Sequence, residues 1–312
     1  ALPISMRGVP IVLRKYDRAW LGPDVVAGVT LAAIAIPEVL GYTSISETPL
    51  VTGLYTVILP TIMFALIGSS RLLVVGADSA TAAILAAGLA GLGISGLTPY
   101  STTWLQWCML TALVTAALLL VARLLRLGFI GDFLSASVLI GFLTGVGLQV
   151  LSGQLPDMLG IPKGSGNWLE QQWHLITHLS EASAWDVGFA LFALALIAAC
   201  KRWAKRIPGA LLAVVASIIV ATVTNAADHG VAEVGKVTGG LPPLGLPKGV
   251  TLADIPSVLP IAASCVVLII AQSAATARSF ALKQGDRVDI NRDIAGLTAA
   301  NAAAGLTGTF VV

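Results

Sequence analysis

The sequence predicts an all-α integral membrane protein in which at least one span is interrupted in mid-membrane. Three observations predict it. Of 312 residues, 56 % are hydrophobic and 11 % charged, with a mean hydropathy of +0.90. A soluble domain carries about 25 % charged residues because its surface must be wetted, so this chain is solvated by lipid. Nine apolar stretches meet or approach the length that a helix needs to cross the hydrocarbon core, about 20 residues. A run of branched residues, LLVVG, breaks the pattern between two of them.

The first span covers residues 23–43, after Arg14, Lys15 and Arg18. It is too long, and followed by too many others, to be a secretory signal. The next stretches are 50–67, 77–94, 101–124, 133–151, 187–200, 208–223, 255–280 and a shorter 294–306. With the amino terminus inside, the inward segments hold fifteen of the eighteen Lys and Arg residues, and only Lys163, Lys236 and Lys248 fall outside. Short cytoplasmic loops carry such an excess, which supports the span count and places the amino terminus in the cytoplasm. The longer loops, 152–184 and 225–254, then face outward.

A formal charge of +2, with no basic stripe among aromatics, argues against nucleic-acid binding. Cys108, Cys200 and Cys265 lie in apolar stretches without CxxC spacing, so they read as packing residues rather than a metal site or a disulfide framework. The histidines, His174, His178 and His229, fall in outward loops. The HLITH run has the spacing of HExxH, but Leu175 stands where that motif needs its general base, so a solvated loop helix is preferred and no enzyme activity or metal is expected.

Two carboxylates stand where hydrocarbon disfavours them. Glu38 lies roughly 20 Å along the first span, past the midplane of a core about 30 Å thick. A charge at the bilayer centre costs roughly 2.5 to 3.5 kcal/mol, so such a group normally faces protein or a water-filled cavity. Pro37 removes a backbone donor just before it. Asp78 follows RLLVVGA. If 72–76 is extended, it covers roughly 15 Å and starts the next helix near the midplane. Irregular backbone at that depth is tolerated only where it is buried in protein or lines a cavity, so the segment marks a site. Half-helix amino termini of this kind gather free amide donors and about half a positive charge, which suits an anion. For Asp78 two readings stay open: a site residue, or an N-cap that would compete with an anion for those donors.

The spacing recurs near the carboxyl end. Glu38 lies 34 residues before Leu72, and Gln272 lies 35 before Thr307, which opens TGTFVV. The sequence thus predicts a second repeat, inverted because seven spans precede residue 255, and supplied only as far as the strand of its third span.

The residues resemble the sulfate permease family, the anion transporters that include prestin and pendrin. DVVAGVTLAAIAIPEVLGYT, GLYTVILP, GSSRLLVVGADSATA and AQSAATARSF followed by NRDIAGLTAAN carry the likeness in order. The resemblance implies fourteen spans in two inverted seven-span repeats, discontinuous third and tenth spans, a core and a gate domain, and an anion site between the two half-helices. On that pattern, residues 1–20 are cytoplasmic, 21–127 hold core spans one to four, 128–225 gate spans five to seven, 226–254 an outward loop, and 255–312 core spans eight and nine with the strand of span ten. The remaining spans and a cytoplasmic regulatory domain lie outside the sequence. The resemblance assigns Glu38, Tyr42, Ala77, Asp78, Ser79, Gln272 and Thr276 to the site.

Three departures shape the expected function. Glu38 replaces a common glutamine, Gln272 replaces an acidic residue four positions before a retained Thr276, and Ala77–Asp78 replaces a pair that usually begins with Pro. A neutral Gln272 argues against sodium coupling. Desolvation favours the neutral form of a carboxyl group, which makes Glu38 the candidate carrier of a coupling proton. The chain is therefore expected to be similar to proton-coupled bacterial members, among them a fumarate symporter, with a sulfate or bicarbonate transporter or an anion channel of the same family as alternatives. The expected partners are a small anion and the bilayer of the bacterial inner membrane, with a homodimer as the candidate assembly and no cofactor beyond the proton.

Overall fold

The computed structural model describes residues 18–70, 73–127, 136–162, 164, 168–204, 209–231, 240–284 and 288–312. Most of the amino-terminal segment, Arg71 and Leu72, and the start of the stretch expected from 133 lie outside them. The chain is helical throughout its long elements: α1 Leu21–Ser46, α2 Leu50–Thr56, α3 Leu59–Ile67, α4 Ser79–Ala90, α5 Thr102–Leu124, α6 Ala136–Leu159, α7 Trp168–Thr177, α8 Ala184–Trp203, α9 Gly209–Thr224, α10 Ile255–Gln284 and α11 Ile290–Leu306. Among the described residues five stretches are long and apolar enough to cross a membrane, and α4 and α9 are shorter apolar helices.

Local chemistry sets the boundaries. Helix α1 runs through Pro37 and stops where Glu47 takes a left-handed conformation, its N–H bonding to Thr43 O. The span expected over 50–67 is two helices. Pro60 sits in the first turn of α3 and has no N–H to offer the carbonyl of residue 56, so the ladder parts at Val57 and Ile58. Ser101 caps α5 by accepting from Trp104 N at 3.0 Å, and Ser183 caps α8 by accepting from Asp186 N at 3.3 Å. The stretch expected over 77–94 is helical only from Ser79 to Ala90, 12 residues or about 18 Å, half a bilayer.

The chain forms two compact units. The first comprises residues 1–25, 39–143 and 239–312, and the second 26–38 and 144–238. In the first, α11 packs on α5 and α3, and α10 packs on α5 and α4. Small residues let these backbones close on one another: a Cβ on Gly305 would meet Met109 O at 2.9 Å, and one on Gly53 would strike Val39 O. One core cluster joins Phe64, Val75, Leu119, Ile270, Ile294, Leu297, Val311 and Val312, and a second joins Leu85, Leu89, Trp104, Trp107, Val258, Ile261 and Phe310. In the second unit α8 and α9 pack as a pair and leave Leu191, Ile218 and Val223 exposed, as lipid-facing helices do.

Candidate functional site

The site begins with the break that the sequence places before Asp78. Residues 73–78 are non-helical and belong to no strand, and α4 starts at Ser79. A strand was expected for this stretch and for TGTFVV, yet no β-ladder forms among the described residues. Val75 shares a core cluster with Val311 and Val312, yet side chains bond the backbone groups of Val75 and Val312. Thr61 Oγ1 on α3 donates to Val75 O at 2.6 Å. In the second segment Thr307 and Gly308 form a turn, and chain without helix or strand follows from Thr309. There Asn301 on α11 brackets Val312, its Nδ2 donating to the carbonyl at 2.8 Å and its Oδ1 accepting from the amide at 3.1 Å. Thr309 Oγ1 donates to Thr52 O at 2.8 Å. A buried main-chain polar group must find a partner, and these side chains supply it.

Asp78 caps α4. Its backbone is extended, and Oδ2 accepts from Ala80 N and Thr81 N, both at 3.1 Å, while its carbonyl accepts from Ala82 N at 3.0 Å. Two donors of the first helical turn, those best placed for an anion, are therefore taken by a carboxylate of the chain itself. Of the two readings open for Asp78, the cap is the geometry observed.

Tyr42 on α1 and Ala77 pack against the cluster that contains Phe310, so the end of the first span and both non-helical segments share one patch of core. Asp78 and Ser79 follow Ala77 at the helix start, each half-buried. Gln272, half-buried, and Thr276, exposed, lie one turn apart on α10. Glu38 is an exposed residue of α1 one turn before Tyr42, and it is grouped with the second unit whereas the other six belong to the first. His174 and His178 stack at 4.0 Å between ring centroids. No group of three metal-ligating residues occurs among the described residues.

Sequence reasoning missed what holds the loop ahead of the first segment. Asp293, 2 % exposed on α11, accepts at Oδ1 from Ser69 N at 2.6 Å, Ser69 Oγ at 2.8 Å and Ser70 N at 2.9 Å. Ser69 Oγ also accepts from Asp289 N at 3.1 Å, and Arg292 Nε donates to Ile67 O at 3.0 Å. The two short motifs GSSR and NRD thus bind each other across more than two hundred residues. Asp293 Oδ2 has no hydrogen-bond partner among the described residues and borders a narrow gap that Ile270, Ser273 and Leu297 also line. Each motif was visible in the sequence, but nothing in its spacing announced the partner.

Residues 21–312 match a family model described as the sulfate permease family. A probable sulfate transporter of Mycobacterium tuberculosis is 34 % identical over 302 residues, 97 % of this chain and 53 % of that protein. Sulfate transporter 2.1 of Arabidopsis thaliana is 28 % identical over 316 residues, 95 % of this chain and 45 % of that protein. The chain spans about half the length of the curated relatives it matches. Among solved structures, murine Solute Carrier 26 family member A9, an anion transporter in the inward-facing state, superposes with a TM-score of 0.86 at 20 % identity, over 97 % of this chain and 54 % of that one. The transmembrane domain of the cyanobacterial bicarbonate transporter BicA does so with a TM-score of 0.81 at 22 % identity, over 95 % of this chain and 75 % of that one. These likenesses establish a shared all-helical fold, and with the family model matched over residues 21–312 the chain belongs to the sulfate permease family.

Proposed function

We propose that the chain belongs to the membrane domain of a secondary active anion transporter, working by proton-coupled symport of a small carboxylate such as fumarate. The observation that carries the transport reading is the interrupted third span, non-helical over 73–78 and helical from Ser79, with Tyr42 and Ala77 on the patch of core that also holds Phe310. Tyr42, Ala77, Asp78, Ser79, Gln272 and Thr276 then line the anion path. Extended chain inside a bilayer is costly unless it lines a chamber, and a half-helix that ends there supplies amide donors. The second non-helical segment, pinned from α11 as the first is pinned from α3, supports an inverted repeat. Glu38, an ionisable residue deep in an apolar span, takes the role of proton carrier. Gln272 offers no charge to balance sodium. The Lys and Arg distribution supports a cytoplasmic amino terminus in a bacterial inner membrane.

The printed names of the relatives favour a second reading, sulfate as substrate. Uptake and counterflow of labelled fumarate, sulfate and bicarbonate by the intact protein in liposomes, with and without an inward proton gradient, separates the two. Fumarate uptake that rises with the gradient, and loses that dependence in Glu38→Gln while counterflow persists, supports the first. Gradient-independent sulfate transport by both proteins rejects it.

A further inference from the structure

The loop helix α7 points an apolar stripe away from the protein, where a helix bathed in water would carry polar residues. Leu169, Trp173 and Ile176, spaced four and three residues apart, are 70 %, 69 % and 59 % exposed. The opposite face packs inward through buried Leu175, with His174 and His178 half-buried beside it. A helix with one face on the protein and a contiguous Trp, Leu and Ile face outward suits the boundary between headgroups and acyl chains. Trp prefers that boundary because its ring is apolar and its N–H is not.

Two further contacts fix the depth of this helix. Ser183 N, at the start of α8, donates to Leu159 O, at the end of α6, at 2.9 Å, so the chain leaves the membrane and returns at one point. Trp168 Nε1, in the first turn of α7, donates to Ser152 Oγ at 2.8 Å. Ser152 precedes the end of α6 by seven residues, roughly 10 Å along the helix, so α7 begins beside the last turns of the span rather than above them. All of these residues lie within the second unit.

We propose that α7 is an interfacial anchor that lays Leu169, Trp173 and Ile176 into the outer edge of the lipid bilayer and so fixes the height of the second unit in the membrane. The solvated loop helix expected from the sequence is replaced by a lipid-bound one. Its occupant is phospholipid, recognised by apolar area at the headgroup boundary and not by headgroup charge, since the stripe carries none.

The test labels single cysteines with a nitroxide in the intact protein, reconstituted in phosphatidylcholine liposomes. Leu169→Cys, Trp173→Cys and Ile176→Cys report the stripe, and Glu170→Cys and Thr177→Cys report its flank. The native Cys108, Cys200 and Cys265 are buried, and the unsubstituted protein serves as the labelling control. The expected result is several-fold higher collision with dissolved oxygen, relative to a water-soluble nickel complex, at the stripe than at the flank. Equal access of the nickel complex to all five positions overturns the proposal, because the helix then lies in water. Low access of both reagents at the stripe also overturns it, because another protein surface, such as a second copy of the chain, then covers those residues.

Discussion

The two non-helical segments of the first unit, 73–78 and 309–312, are built for opposite degrees of freedom. Residues 309–312 are buried throughout, with Thr309 tied to Thr52 and Val312 held at both its amide and its carbonyl by Asn301. Residues 73–78 are mostly half-exposed, with Val74 53 % open, and Thr61 supplies one side-chain bond to their backbone. The second segment is part of the scaffold. The first holds its place through its two ends: the Asp293 clamp on Ser69 and Ser70 before it, and the Asp78 cap after it. The proposed anion contact falls on the less constrained of the two, as expected if functional segments are drawn from the low-stability parts of a fold.

Breaking the scaffold segment should have the largest effect. Asn301→Ala orphans the Val312 amide and carbonyl in a fully buried place, at about 1 to 3 kcal/mol for each unsatisfied group. Thermal unfolding of the intact protein in detergent should show a large fall in midpoint, with little folded material recovered. A midpoint close to the parent's would mean that the segment finds other partners and that the contrast drawn above is wrong.

The clamp ahead of the first segment should matter less than its three hydrogen bonds suggest. Asp293 is buried, and its second oxygen has no hydrogen-bond partner among the described residues, so removing the side chain also removes a desolvation cost. The expected loss for Asp293→Ala is about 2 kcal/mol, with Ser69 and Ser70 amides left to find water. Asp293→Asn keeps an oxygen acceptor for those amides and should recover much of that loss. If the Asn variant were as unstable as the Ala variant, the negative charge rather than the acceptor geometry would be what holds the loop.

The contrast between the segments also marks what a sequence can and cannot disclose. The membrane class, most helix limits and the break before Asp78 are local facts, set by hydropathy, by Pro and by the branched run LLVVG, and they were legible. The parting of α2 from α3 at Val57 and Ile58 was not read, although Pro60 carried the signal. Asn301 looks like any polar residue in NAAAG until the chain returns eleven residues later to place Val312 against it. Asp293 and Ser69 are separated by more than two hundred residues, and only packing brings them together. The apolar stripe of α7 was present as Leu169, Trp173 and Ile176, but which face of a short helix points away from its own protein is decided by contacts and not by period.

The smallest effect on stability should accompany the most informative change in function. Asp78→Ala removes the cap of α4, a loss of about 1 kcal/mol, whereas Asp78→Asn keeps an acceptor for Ala80 N and Thr81 N and should leave the midpoint nearly unchanged. Both variants remove a negative charge from a helix amino terminus, a place where an arriving anion gains about 0.3 to 1 kcal/mol from the helix dipole. If the carboxylate competes with substrate for that place, both should bind the transported anion more tightly, lowering the apparent KM about twofold to fivefold at constant ionic strength. The neutral Asn variant separates charge from capping, because it changes KM without changing stability. A rise in KM in both would place Asp78 among the groups that hold the substrate or its proton, and would make the freer segment a binding element rather than one that screens its own site.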